Sequence, residues 1–192
     1  HYPFINCTEC GPRYTLIHAM PYDRAATTMA GFKLCKQCRA EYTNPADRRF
    51  HAEPVACPAC GPTLTFHGDS ETCRGNAAAL QACLAALRAG RIVAVKGIGG
   101  YHLMCDARDD TAVGQLRARK PRPHKPLAVL FPAPPDAPLR QLEQQVQLTP
   151  AQAELLLSPV RPIVLAQRLP DCSLSALVAP GLDELGVMLP YS

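Results

Sequence analysis

The chain has 192 residues, with 20 Lys and Arg against 16 Asp and Glu, for a formal charge of +4. That mild excess does not by itself imply nucleic acid, and no apolar run reaches the roughly 18 residues that a membrane-spanning helix needs. Apolar residues make up 47% of the chain, Trp is absent and aromatics are only 6%, so a core would be aliphatic, in one ordinary domain plus a small one.

Residues 1–66 are Cys-x-x-Cys knuckles joined by short polar segments. Cys35 and Cys38 are followed after eighteen residues by Cys57 and Cys60. Each knuckle places two sulfurs near one point. Two knuckles supply four thiolates at about 2.3 Å from a metal, the geometry of a structural zinc site with no open position for catalysis. Gly11 and Gly61 follow knuckles, where a positive φ is useful. Disulfides are disfavoured. No secretory signal opens the chain, and such pairs inside cells are redox-active or metal-bound. The ten Cys instead point to a reducing cytosol. A module this poor in apolar residues would fold with its metal.

The segment from His1 to Pro12 matches that from His51 to Pro62 at the His, both Cys, the Gly and the Pro. Cys7 and Cys10 therefore form another knuckle. Its partner knuckle would lie before residue 1, so the chain reads as part of a longer protein, its first metal site lacking half its ligands. Cys7 and Cys10 then bind metal only with other ligands. His1 and His51 hold equivalent places, as ligands or, more commonly, as rings packed beside the knuckle. Cys73, Cys83, Cys105 and Cys172 have no metal spacing and read as plain thiols.

Residues 67–76 read as a polar linker. Leu80, Cys83, Leu84 and Leu87 recur at helical spacing, predicting a helix from Ala77 to Ala89 with Asn76 as N-cap and Gly90 as stop. Ile92 to Val95 reads as a buried strand. Lys96 ends it and opens a loop, Gly97 to Gly100. Asp109 or Asp110 caps a helix to about Lys120. Leu127 to Phe131 is a second buried strand, and Leu139 to Gln147 reads as a helix. Thr149 and Pro150 start another, as N-cap and first turn, to about Leu157. Ile163 to Ala166 and Leu185 to Pro190 are further strands. Helices alternating with strands predict an α/β domain over residues 77–192.

In α/β folds ligands sit beyond the carboxyl ends of strands, and glycines admit an anion to the backbone. Lys96 and its loop fit that position, or else form a tight turn with a solvated Lys. Tyr101 and His102 follow. Arg117, Arg119, Lys120, Arg122 and Lys125 place five cations in nine residues, with His124 among them and no acid. Pro121, Pro123 and Pro126 stiffen the run. A rigid basic segment entering an apolar strand suits a polyphosphate clamp, in which Arg offers planar bidentate contacts and Lys a point charge. Arg161, before a strand, suits either a phosphate or a carboxylate.

The run from Val95 to Ala107, with Arg119 to Val129, resembles the YrdC-like family. A Lys-Gly-Ile-Gly-Gly-Tyr-His-Leu stretch behind tandem four-cysteine fingers is similar to HypF-type hydrogenase maturation carbamoyltransferases. So are the runs from His1 to Leu16, Asp47 to Pro62 and Leu185 to Tyr191. The resemblance covers nearly the whole chain. It implies a small four-cysteine zinc-finger module followed by a truncated YrdC-like α/β domain. It also implies structural Zn2+, with ATP and Mg2+ as a substrate complex. In this family carbamoyl phosphate is cleaved by an acylphosphatase-like domain. The YrdC-like domain forms carbamoyl adenylate and pyrophosphate. A further domain then passes the carbamoyl group to the C-terminal Cys of HypE, for cyanide ligands of [NiFe]-hydrogenase. By motif, Lys120, Arg122 and Lys125 would hold the phosphates or the carbamate, and Lys96 and Tyr101 would line the pocket. His102 stands where tRNA-modifying relatives carry Gly. No catalytic side chain is assigned. The expected partners are HypE, the two substrates and the remaining HypF domains, in the cytoplasm and away from membranes.

Two other classes fit part of the pattern. One is a tRNA-modifying protein of the threonylcarbamoyl-adenylate type, or an RNA-binding zinc protein. The cations are few for that, and stacking aromatics are not interleaved with them. The other is a scaffold whose fingers hold further domains together. The fragment alone is expected to be inactive.

Overall fold

The computed structural model describes residues 2–6, 8, 14–69, 71–97, 100–121 and 125–190. Two compact units divide the chain: His1–Ala85 with Lys96–Gly100, and Ala86–Val95 with Tyr101–Ser192.

The first unit begins with 3-10 turns at Tyr14–Leu16, Arg24–Ala26 and Thr28–Gly31. Asp23 accepts from the Ala26 N–H and Thr27 from the Met29 N–H, so short polar side chains cap the start of the second and third turns. Helix α1 (Lys36–Thr43) follows, then strands β1 (Thr65–His67) and β2 (Thr72–Arg74), paired antiparallel. The stretch expected as a linker therefore carries β2. Helix α2 (Asn76–Arg88) starts differently from the expectation. Asn76 is its first residue, and its Oδ1 accepts from the Leu64 N–H at 2.9 Å. Gly75, at φ +98°, makes the entry instead, its carbonyl accepting from Ala79. Gly90 ends the helix as expected. At φ +70° it lets its own N–H reach the Leu87 carbonyl and the Arg91 N–H reach that of Ala86, a Schellman closure.

Strands β3 (Val93–Gly97) and β4 (Gly100–Met104) form a two-stranded sheet. Lys96 does not end β3 but lies one residue before its last residue, Gly97. Val93 and Val95 are half-buried while Ala94 and Lys96 are exposed, so β3 is a strand with one open face and not the fully buried strand expected.

In the second unit Asp109 caps α3 (Asp110–Arg119), its Oδ1 accepting from Thr111 and Ala112. Next come β5 (Ala128–Leu130), β6 (Val146–Gln147), α4 (Pro150–Leu157), β7 (Val164–Arg168) and β8 (Glu184–Met188). Thr149 and Gln152 form a capping box on α4, with Pro150 at its first turn. The sheet order is β5-β8-β7-β6, parallel at β5–β8 and antiparallel elsewhere. Its inner face packs Val129, Val164, Ala166, Leu185 and Val187 against Leu142, Leu156, Val113 and Val178. The outer face leaves Leu130, Ile163 and Leu165 exposed, so these strands also alternate, as mixed sheets with one open face do.

Leu139 to Gln147 is not a helix. It is a chain of turns running into β6, with Glu143 bonding back to Leu139 and Val146 to Leu142. The helical spacing of Leu139, Leu142 and Val146 has another cause. Successive turns drop Leu142 and Val146 into the core, where each is at most 1% exposed. Leu142→Ala is therefore expected to cost about 2–5 kcal/mol, as in a rigid core helix. Denaturant unfolding checks this. A loss under about 1 kcal/mol would mean the turns collapse to fill the cavity.

Candidate functional site

Cys35 is the N-cap of α1, and its Sγ accepts from the Cys38 N–H. The helix thereby holds the first knuckle. The second is a turn in which the Cys60 and Gly61 N–H groups both reach the Cys57 carbonyl. The two knuckles converge. Sγ separations are 3.7 Å for Cys35–Cys57, 3.8 Å for Cys57–Cys60 and 3.7 Å for Cys38–Cys60. All four sulfurs lie within 4.8 Å of one another. Four ligands about 2.3 Å from zinc stand about 3.8 Å apart along tetrahedral edges. The donor set therefore fits zinc in kind, number and size. Among the described residues it is the one such cluster. Burial pushes the Cys38 thiol up. Burial also opposes ionising Cys60, yet hydrogen bonds with the Cys35 and Cys57 backbone and neighbouring thiols bring it down to about 7.

Gly61 serves by close approach and not by positive φ. A Cβ there would stand 2.2 Å from Tyr2 Oη and 2.6 Å from the Ala56 Cβ. Tyr2 in turn donates to the Pro62 carbonyl at 2.8 Å. Burial first, then the nearby Cys60, Cys57 and Cys38 thiols, raise its phenol to about 12. His51 is packed and not a ligand. Its ring lies 4.9 Å from Tyr42 and 4.4 Å from Phe50, outside the sulfur cluster.

A residue without a motif braces this centre. The Arg24 guanidinium donates to the carbonyls of Glu53 (2.5 Å), Val55 (2.9 Å) and Phe32 (2.7 Å). Those segments lead into Cys57 and Cys35. Glu53, 6% exposed, takes both its carboxylate contacts from the Tyr42 hydroxyl of α1. A lone Arg in a polar segment has no spacing signal, so the sequence did not mark Arg24. Cys7, Cys10 and His1 lie outside the described residues.

In the second unit Lys120 caps α3, with its N–H on the Leu116 carbonyl, and is exposed, as is Lys125. Arg117 does not point to solvent as a clamp would. It donates from Nε to the Leu177 carbonyl, and from Nη2 to those of Val178 (3.0 Å) and Lys125 (3.2 Å). Tyr101, on β4, is 70% exposed, and His102 beside it is exposed. Arg161, at φ +46°, donates to the Leu156 carbonyl at the end of α4. Arg122 and His124 lie outside the described residues. On the open sheet face a groove of about 350 Å3 is lined by Pro126, Leu165, Gln167, Leu182, Asp183 and Glu184. Its charges are acidic, so it does not suit a phosphate.

The HypF finger family model matches residues 1–17 and 34–67, and the Sua5/YciO/YrdC family model, described as telomere recombination, matches residues 85–192. The carbamoyltransferase HypF of Rhodobacter capsulatus is 51% identical across 100% of this chain. The chain belongs to the HypF family. It spans 24% of the length of that relative. The crystal structure of T. kodakarensis HypF superposes with a TM-score of 0.90 at 42% identity, covering 99% of this chain and 24% of that one. Full-length HypF in its phosphate- and nucleotide-bound form gives 0.84 at 44% identity, with the same coverage. The HypF finger match encloses Cys35, Cys38, Cys57 and Cys60, so family and geometry meet on the same four sulfurs.

Arg24→Met in this HypF finger is expected to cost about 2–4 kcal/mol, since it removes hydrogen bonds from a charged donor and leaves carbonyls unpaired. Chelator-induced unfolding of the zinc-loaded protein would read this as earlier metal release. Unchanged release would show that the knuckles hold their spacing without it.

Proposed function

We propose that this chain is the zinc-binding and adenylate-forming part of an ATP-dependent carbamoyltransferase. Support comes from relatives named carbamoyltransferases that match along the whole chain, and from a similar solved structure, a full-length HypF in its phosphate- and nucleotide-bound form. The observation that carries the reading to particular residues is the pair of exposed lysines, Lys120 and Lys125, whose backbones are held by the Leu116 carbonyl and by Arg117.

Residues 1–66 would form the finger module, 67–76 the connection and 77–192 the YrdC-like domain. Cys35, Cys38, Cys57 and Cys60 would hold a structural zinc, cross-linking segments that bury little apolar surface. Four protein ligands leave no position for catalysis. Cys7 and Cys10 would serve a second site.

Lys120, Arg122 and Lys125 would face the triphosphate of Mg·ATP. Lys96, Tyr101 and His102 would line the acyl side of the same pocket. Arg161 is the weakest member, because its Nη1 is already engaged by Leu156. Carbamate, released from carbamoyl phosphate, would attack the α-phosphorus through an oxygen. The bond from that phosphorus to the bridging oxygen breaks, and pyrophosphate leaves with the electron pair. Negative charge grows on the leaving group, where fixed cations lower the barrier without a protein nucleophile. Transfer to the C-terminal Cys of HypE would follow in other domains, in the cytoplasm, toward cyanide ligands of [NiFe]-hydrogenase. The 192-residue stretch alone is not expected to turn over. Among the described residues no helix is long and apolar enough to cross a membrane.

ATP–pyrophosphate exchange by the full-length protein tests this. Exchange that requires carbamoyl phosphate is the expected result. Exchange that requires threonine and bicarbonate would move the protein to tRNA-modification chemistry, and no exchange despite full zinc would favour a scaffold. Lys120→Ala and Arg122→Ala are each expected to abolish nucleotide binding with zinc content intact. Wild-type ATP affinity in both would remove the clamp assignment.

A further inference from the structure

Sequence spacing groups Arg117 with the cations of the basic segment, but its contacts separate it from them. Three of its N–H groups are spent on carbonyls: Leu177 and Val178, in the 3-10 turn Ala176–Val178, and Lys125 at the far end of the segment. The Val178 carbonyl also accepts from the Leu127 N–H at 2.9 Å, where the chain enters β5. The turn itself is held by Ser175. Its Oγ accepts from the Leu177 N–H, and its own N–H reaches the Ala107 carbonyl. The near end of the segment is fixed by the Lys120 N–H on Leu116, one residue before Arg117 on α3. One guanidinium therefore ties the entry and the exit of the basic segment to a single turn.

We infer that Arg117 is a positioning residue: it presets Lys120 and Lys125 for a polyphosphate without itself being a phosphate ligand. This rests on the nucleotide-binding reading above. Holding both ends of a loop before the ligand arrives removes ordering cost from the binding step. The fork geometry is essential, because the carbonyls are spread over Nε and Nη2 and a single ammonium cannot span them. Lysine would preserve the charge and lose the brace. A phosphate ligand would tolerate that exchange in part, whereas a brace would not.

The experiment is calorimetric titration of Mg·ATP into the full-length, zinc-loaded protein and its R117K, R117Q, K120A and R168K variants. Arg168 is the control. It braces the Leu174 carbonyl in the same unit, with no hydrogen bond to the basic segment among the described residues. R117K and R117Q are each expected to weaken ATP about tenfold, to the same extent. R168K should lower the melting temperature comparably and leave ATP affinity at the wild-type value. Near-wild-type affinity in R117K with loss in R117Q would make Arg117 a direct cation and overturn the inference. So would wild-type affinity in both, or an equal loss of affinity in R168K. Unchanged affinity in K120A would instead remove the nucleotide reading on which all this stands.

Discussion

The convergence of four sulfurs is the constraint on which the N-terminal part of the molecule depends. Among the described residues 2–66, the buried apolar side chains are only Met29, Cys38, Val55 and Ala56. One of those is itself a sulfur of the cluster. So few apolar groups cannot offset the entropy of ordering some sixty residues at about 1–2 kcal/mol each. A metal cross-link between Cys35, Cys38, Cys57 and Cys60 supplies what the core does not. The packing around it follows. Gly61 has no side chain because Tyr2 occupies that space, and His51 is drawn into an aromatic contact with Tyr42 and Phe50.

A second device recurs where regular structure is scarce. Arg24, Arg117, Arg161 and Arg168 donate to backbone carbonyls of turns and loop ends. Carboxylate partners are few, with ion pairs at Arg49–Glu41 and Arg108–Asp106 among the described residues. Irregular segments leave carbonyls without ladder partners, and each needs a donor. A guanidinium serves several at once. The net charge of +4 is thus a poor guide to ligand-facing charge. Much of the basic side-chain chemistry is structural, and it concentrates where the chain turns most.

The parts legible in the sequence were those whose signal is local. The two knuckles at fixed spacing, Asp109 capping α3, Gly90 closing α2 and the Thr149–Pro150 start of α4 all act through neighbouring backbone groups. Misreadings came where a distant partner decides. Leu139 to Gln147 has helical spacing, yet the pattern only records which turns face the core. Asn76 resembles a cap, but the Leu64 N–H claims its side chain. The strands at Lys96 and Leu127 looked uniformly buried because both faces carry apolar residues, one of them left open. Of the candidate site, the thiols were legible as a set. The basic segment was legible as charge, but which of its cations face outward depends on Leu177 and Val178, about sixty residues away.

That distance matters for how adenylate chemistry would work here. Charge developing on a leaving pyrophosphate is stabilised most by cations that need not reorganise during the step. Mobile lysines on a free loop would supply charge but would have to be ordered at the moment of reaction. Here Pro121 and Pro126 restrict the backbone, α3 holds one end, and a 3-10 turn built on Ser175 holds the other. On that reading the demand for rigidity would fall on residues that touch no substrate. The Val178 carbonyl, which accepts from both Leu127 and Arg117, is the point at which β5, the turn and the basic segment share one support. A shift of that turn would move Lys125 and the adjoining strand together, so on the nucleotide-binding reading the placement of this cation and the packing of the core would be coupled through a single backbone oxygen.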